Sequence, residues 1–217
     1  MGLFTFILDN FYRIMEYTWN HFTLVLTVML LSLLLWFSVG VIISRYNRLA
    51  GPVLGLGNLL FCLPSISLFG LFMTIPLLGL GRRSAVLALL LYAMMPLVRN
   101  VYQGIKSVDP RVVEAGRGMG LSPWQLLWQI QVPMAWPVIF AGIRITVVLI
   151  TGMATVATFI GERNLGRLIH HGITRSHSEM ILAGALIVSV VALVLDQFMG
   201  RLEKKLVSPG LRYQQRE

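Results

Sequence analysis

Residues 22–44 read FTLVLTVMLLSLLLWFSVGVIIS, without one charged side chain. At about 1.5 Å rise per residue, a helix of that length exceeds the roughly 30 Å hydrocarbon core of a bilayer. The rest of the chain agrees with a membrane solvent. Of 217 residues 56% are hydrophobic and 12% charged, the mean hydropathy is +0.76, and a soluble domain carries about twice that charged share. The expected fold class is an all-α polytopic membrane protein.

Working outward, residues 49–81 are also free of charge but contain Pro52, Pro64, Pro76, Gly55, Gly57 and Gly70. They predict one span at about 57–79, kinked or locally unwound near Leu63-Pro64-Ser65. A third span at about 82–101 recruits turns on either side of a short apolar run, with Arg83 and Arg99 snorkelling to opposite interfaces. The stretch that follows is too polar to cross lipid. Spans four and five lie at about 137–160, interrupted by Arg144, and about 179–198. The expected organisation is an outer interfacial segment 1–21, a transmembrane domain 22–205 with a loop at 102–134, and a cytoplasmic tail 206–217.

Charge placement orients the spans. The chain has 18 Lys and Arg against 9 Asp and Glu, a formal net charge of +9. With the long loop in the cytoplasm, eleven of these cations fall on the inner side and six on the outer, counting Arg144 with neither. That bias predicts an N-terminus outside and a C-terminus in the cytoplasm. No basic patch interleaved with aromatics occurs, so no nucleic-acid partner is expected. Membrane lipid is the expected partner of these cations, beyond their role in orienting the spans.

The loop holds two helix starts. Asp109 is placed as an N-cap with Pro110 at the first helical position, leading into Arg111–Ala115, and Gly116, Gly118 and Gly120 are expected to stop that helix. Ser122-Pro123-Trp124-Gln125 repeats the signal with a capping-box glutamine. Its helix, about 123–132, carries Trp124, Leu127 and Trp128 and is expected to end at Pro133. Such an apolar, aromatic face suits either an interfacial helix lying on headgroups or a docking helix for a groove on a cytoplasmic partner.

Here the residues acquire a family likeness. Glu114-Ala115-Gly116, three residues, Gly120, nine residues, then Ile130-Gln131-Val132-Pro133 resembles the Glu-Ala-Ala signature of permease subunits of binding-protein-dependent ABC importers, with Gly116 for the second Ala and Val132 for Leu. The resemblance implies a five-helix permease of the type I importer kind. Its coupling site would comprise Glu114, Ala115, Gly116, Gly120, Leu121, Ser122, Pro123, Trp124, Ile130 and Pro133. Glu114, Ala115 and Gly120 would form the docking turn, and Ile130 and Pro133 would support the return helix.

The similarity extends over residues 20–205. Leu63-Pro64-Ser65, Pro76–Gly81, Pro96-Leu97-Val98-Arg99-Asn100, Gly104–Pro110, Pro137-Val138-Ile139 and Ala141-Gly142-Ile143-Arg144 are similar to the branch that takes up osmoprotectant quaternary amines such as glycine betaine, choline and carnitine. One departure stands out: the branch's glycine-rich turn after the fourth span is Gly161-Glu162-Arg163-Asn164-Leu165-Gly166 here. The implied partners are ABC ATPase subunits, a second permease copy or homologue and an external solute-binding protein, in a bacterial inner membrane. An importer permease for another small solute such as an amino acid, or an ion-coupled carrier, is the alternative.

No Gly-rich Lys-Ser/Thr loop occurs, so ATP hydrolysis would belong to a partner. No cofactor is called for, and His170, His171 and His177 lack the ligand spacing of a metal site. An intramembrane hydrolase would need a base at the depth of Ser65 or Ser67. Trp36, Phe61, Phe69, Phe72, Tyr92 and Phe159 are the aromatics available within the spans. Arg144 is expected to snorkel, and Asp196 to pair with Arg201 or Lys204.

Overall fold

The computed structural model describes residues 2–206, and every regular element among them is helical. Residues 207–217, nearly all of the expected tail, lie outside the described residues. A short helix α1 (Leu3–Asp9) ends at Asn10, whose side-chain amide donates to the Phe6 carbonyl at 3.0 Å. Phe6 drops into a satellite cluster with Leu165, Leu168, Met180 and Ala183. The next helix starts at Phe11, well before the charge-free run. Helix α2 (Phe11–Ser32), a π-turn (Leu33–Phe37) and α3 (Ser38–Arg45) form one 35-residue rod. Arg13, Glu16 and Asn20 mark where the apolar stretch begins, but none of them breaks a helix.

The second apolar segment breaks at Leu63-Pro64, where the sequence predicts a kink or local unwinding, into two sharply bent helices. Helix α4 (Asn47–Cys62) and α5 (Ser65–Met73) meet at 94°. Pro64 explains the break, since it drives Leu63 into an extended conformation (φ −67°, ψ 137°) and supplies no N–H to continue the helix.

Helix α6 (Arg82–Lys106) and α9 (Val132–Ala154) form the centre of the bundle. Their close approach depends on small residues: a Cβ on Gly104 would lie 3.2 Å from Val138 Cβ, and one on Gly142 would run into Asn100. Around this pair pack Leu24 and Val28 of α2, Val41 of α3 and Phe69 of α5, all buried. A 3₁₀ turn (Thr155–Ile160) ends α9, and α10 (Gly166–Thr174) folds back on α11 (Ser178–Leu206). Four helices are long and apolar enough to cross a membrane: Phe11–Arg45, Arg82–Lys106, Pro123–Ile160 and Ser178–Lys205. The bent α4–α5 pair brings the number to five if it counts as one span.

Candidate functional site

The loop between α6 and α9 is built from local signals. Asp109 Oδ1 accepts the Arg111 N–H at 2.8 Å, and Pro110 opens α7 (Pro110–Gly118) as its first residue. Gly116 does not stop this helix; it lies inside it, buried. The chain turns at Gly120, where φ is +83°. Gly120 N–H donates to Arg117 O at 2.9 Å and Leu121 N–H to Gly116 O at 3.2 Å, the paired bonds of a Schellman C-cap. Leu121 also packs back over Gly116, its Cδ1 3.5 Å from where a Cβ would stand.

The return helix begins with a complete capping box. Ser122 Oγ accepts Gln125 N–H at 3.3 Å, and Gln125 Oε1 accepts Ser122 N–H at 2.8 Å. Pro133 does not end this helix. α8 (Pro123–Leu126) passes through a π-turn (Leu127–Gln131) into α9, giving one 38-residue rod, Pro123–Ile160. The wide turn immediately before Pro133 takes up the proline ring and its missing N–H, so the fourth helix extends well beyond the apolar run that starts near residue 137. Whatever pushes on Trp124 therefore pushes on the core helix itself.

Two faces separate cleanly on this hairpin. Gly116 meets Leu126 and Ile130, whose Cδ1 atoms lie 2.7 and 2.8 Å from a Cβ placed there. Leu126 and Leu127 are buried, while Glu114, Ala115, Gly120, Ser122 and Pro123 are exposed and Leu121, Ile130 and Pro133 half-buried. Trp124 is 64% exposed and stacks edge-on against Trp128 at 5.9 Å, and Met119 is 74% exposed. Of the ten coupling residues, Gly116, Leu121 and Ile130 meet inside the hairpin, while Glu114, Ala115, Gly120, Ser122, Pro123 and Trp124 face outward.

At the opposite end of the bundle, the charged turn 161–166 is tightly held. Glu162 is buried beside Arg82 of α6, Nη1 to Oε1 at 3.3 Å. Burial pushes its carboxyl above the ordinary carboxylate range, and the Arg82 charge pulls part of the way back. Asn164 is fully buried; its amide donates to Ala154 O at 2.7 Å and its Oδ1 accepts Gly166 N–H at 2.7 Å. Gly161 has φ +89°. Neither polar side chain is displayed for docking.

Two contacts were not anticipated. Arg144 grips α11, with Nη2 at 2.9 Å from Asp196 and Nη1 at 3.2 Å from Glu203. Where the sequence points to Arg201 or Lys204, Asp196 meets a residue 52 positions away, because it faces α9 where Arg144 offers a two-pronged donor. His21 is fully buried in α2, its Nε2 3.1 Å from the Thr151 carbonyl. Its only sequence signal is a histidine one residue before the apolar run. It meets a backbone carbonyl of α9, not Ser65 or Ser67. Among the described residues no three His, Cys, Asp or Glu side chains converge as metal ligands.

The chain matches known proteins over this whole architecture. Residues 37–208 match the family described as binding-protein-dependent transport system inner membrane component. The osmoprotectant import permease protein OsmW of Salmonella typhimurium strain LT2 is 41% identical over 217 residues, covering 98% of this chain and 100% of that protein. The carnitine transport permease protein OpuCB of Listeria monocytogenes is 34% identical, covering 97% and 96%. The choline transport system permease protein OpuBB of Bacillus subtilis strain 168 is 35% identical, covering 95% and 94%. The fold is that of the membrane subunit in inward-facing structures of the MetNI methionine ABC transporter, with TM-score 0.81 at 16% identity, covering 92% of this chain and 99% of that one. With the helices from α3 onward and the glycine-turned loop inside the family match, the chain belongs to the inner membrane components of binding-protein-dependent transport systems and has the fold of a type I ABC importer permease.

Proposed function

We propose that this chain is the membrane subunit of an ATP-driven importer for osmoprotectant quaternary amines, glycine betaine, choline and carnitine being the candidate solutes. The observation that carries the substrate class is the 41% identity with OsmW from end to end, supported by the choline and carnitine permeases at 34–35%. The hairpin at 107–133 docks on an ATPase subunit, with Trp124 and Met119 entering its groove. Because 123–160 is one rod, tilting of that subunit moves α9 and, through Gly104 and Gly142, α6. The hairpin faces the cytoplasm and the N-terminus faces out. A second permease completes the pathway, and a solute-binding protein delivers cargo to the turn 161–166 and its surroundings.

The test is co-purification with an ATPase subunit, followed by uptake in proteoliposomes with and without the binding protein. Uptake that needs both ATP and the binding protein is expected. Uptake driven by an ion gradient alone would overturn the reading.

A further inference from the structure

The break between α4 and α5 leaves backbone polar groups where lipid cannot serve them. The last carbonyls of a helix have no partner within it. At this end Leu60 O accepts Leu63 N–H at 3.3 Å, and Pro64 O accepts Ser67 N–H at 3.0 Å. Leu63 O accepts the Tyr92 hydroxyl. Among the described residues no donor meets Phe61 O or Cys62 O, although Cys62 and Pro64 are exposed. Non-helical backbone at membrane depth is tolerated only against protein or along a water-filled cavity.

The chemistry of this place favours a cation that cannot hydrogen-bond. The C-terminal end of a sixteen-residue helix, α4, carries the negative pole of its dipole. Phe61 stands beside it, 43% exposed. Its ring lies at 6.2 Å from Tyr92, tilted by 70°, so Tyr92 fixes the ring's direction while its hydroxyl holds the break. Asn58, an exposed amide one turn earlier, shares a face with Phe61 and Cys62 at i, i+3 and i+4. No Lys or Arg occurs in residues 49–81 to repel a cation, and no Asp or Glu to trap one. The other span aromatics do not compete: Phe69 and Tyr92 are buried, Trp36 and Phe72 half-buried, and Phe159 stacks on His170 at 4.8 Å at the end of the bundle away from the loop.

We infer that Asn58, Phe61 and the unpaired carbonyls of Phe61 and Cys62 form a transit site on the translocation pathway for the trimethylammonium head of the permeating solute. The inference rests on the substrate class proposed above. An aromatic face and a helix pole attract such a head without an ion pair. The attraction is weak enough for the solute to leave, as conduction requires.

The natural chain carries its own probe, because Cys62 is its only cysteine. The complete complex, reconstituted in liposomes, is first tested for ATP-driven uptake of glycine betaine, choline and carnitine; failure of all three overturns the substrate reading itself. In the transporting complex, the water-borne reagent trimethylammonium-ethyl methanethiosulfonate is expected to label Cys62, located by peptide mass, and saturating solute to slow labelling severalfold. Fluorinated phenylalanines at position 61, nearly isosteric with the native ring, should lower uptake stepwise with each fluorine. Phe61→Leu should lower it by about threefold to tenfold, while Phe61→Trp retains it. A Cys62 that stays unlabelled while the complex transports would place the break under another subunit and overturn the inference. Uptake that is equal across the fluorinated series would overturn it as well, leaving the substrate reading intact.

Discussion

Arg144 and Asp196 meet across the α9–α11 contact in a two-point arrangement, Nε to Oδ1 at 3.1 Å and Nη2 to Oδ2 at 2.9 Å. Gly200, one turn beyond Asp196, leaves room for the guanidinium, whose Cζ lies 3.5 Å from where a Cβ would stand. Glu203 adds a third bond. The side chains are about a third exposed, so solvent screens the pair and its coupling is modest. A double-mutant cycle of Arg144→Ala and Asp196→Ala on thermal unfolding in detergent should give about 1 kcal/mol of coupling. Additive single effects would show that the geometry contributes nothing.

What was legible in the sequence was local. Asp109 with Pro110, and Ser122 with Gln125, announce helix starts because each cap closes over two or three residues. The long-range outcomes were not legible, for physical reasons. Pro133 is a stop signal only in a regular α-helix, and the π-turn before it changes the rule. Asp196 has Lys and Arg nearby in sequence, but pairing follows which face of α11 meets α9. A kink and a 94° bend carry the same Leu-Pro-Ser signature, and tertiary packing of Tyr92 on Leu63 decides between them. Of the coupling residues, exposure separates Trp124 from Leu126 and Leu127, which periodicity alone placed among similar neighbours.

Gly120 is required by its backbone. At φ +83° an L-residue with a Cβ costs about 1–2 kcal/mol, and proline also removes the N–H that caps Arg117 O. Gly120→Pro should leave the chain inserted and its core intact while abolishing ATP-dependent uptake. Gly120→Asn, which tolerates the left-handed region, should keep most of it. Membrane fractionation, proteoliposome transport and ATPase stimulation by the binding protein check the three arms. Normal uptake by Gly120→Pro would remove this turn from the coupling pathway.

Two other glycines should respond in opposite ways. A Cβ on Gly166 would fall on the Thr155 backbone carbonyl, and Asn164 pins both sides of this contact, donating to Ala154 O and accepting Gly166 N–H. Gly166→Ala should therefore cost about 2–3 kcal/mol, read as lower thermal stability and yield. A Cβ on Gly116 meets the far ends of the Leu126, Ile130 and Leu121 side chains. Those side chains can rotate, and alanine gains about 1 kcal/mol of helix propensity. Gly116→Ala should fall within about 1 kcal/mol of the native chain in the same measurements, consistent with alanine at this place in the family signature.

Glu162 should make stability depend on pH in an uncommon direction. Burial raises its carboxyl above the ordinary value of 4.5, against the opposing pull of Arg82. The folded state therefore binds this proton more readily than the unfolded chain. Its contribution favours folding below the ordinary value and declines as pH rises through the raised one. Glu162→Gln keeps the shape without the charge, so its melting temperature relative to the native chain should be higher at pH 7 than at pH 4. Arg82→Ala strands the buried carboxylate and should be more harmful at pH 7 in the native background than in the Glu162→Gln background, because a buried charge left without its partner costs more than a neutral amide in the same place. Equal losses in both backgrounds would mean that Arg82 acts through its bond to the Asn20 carbonyl, 3.5 Å away, and not through Glu162.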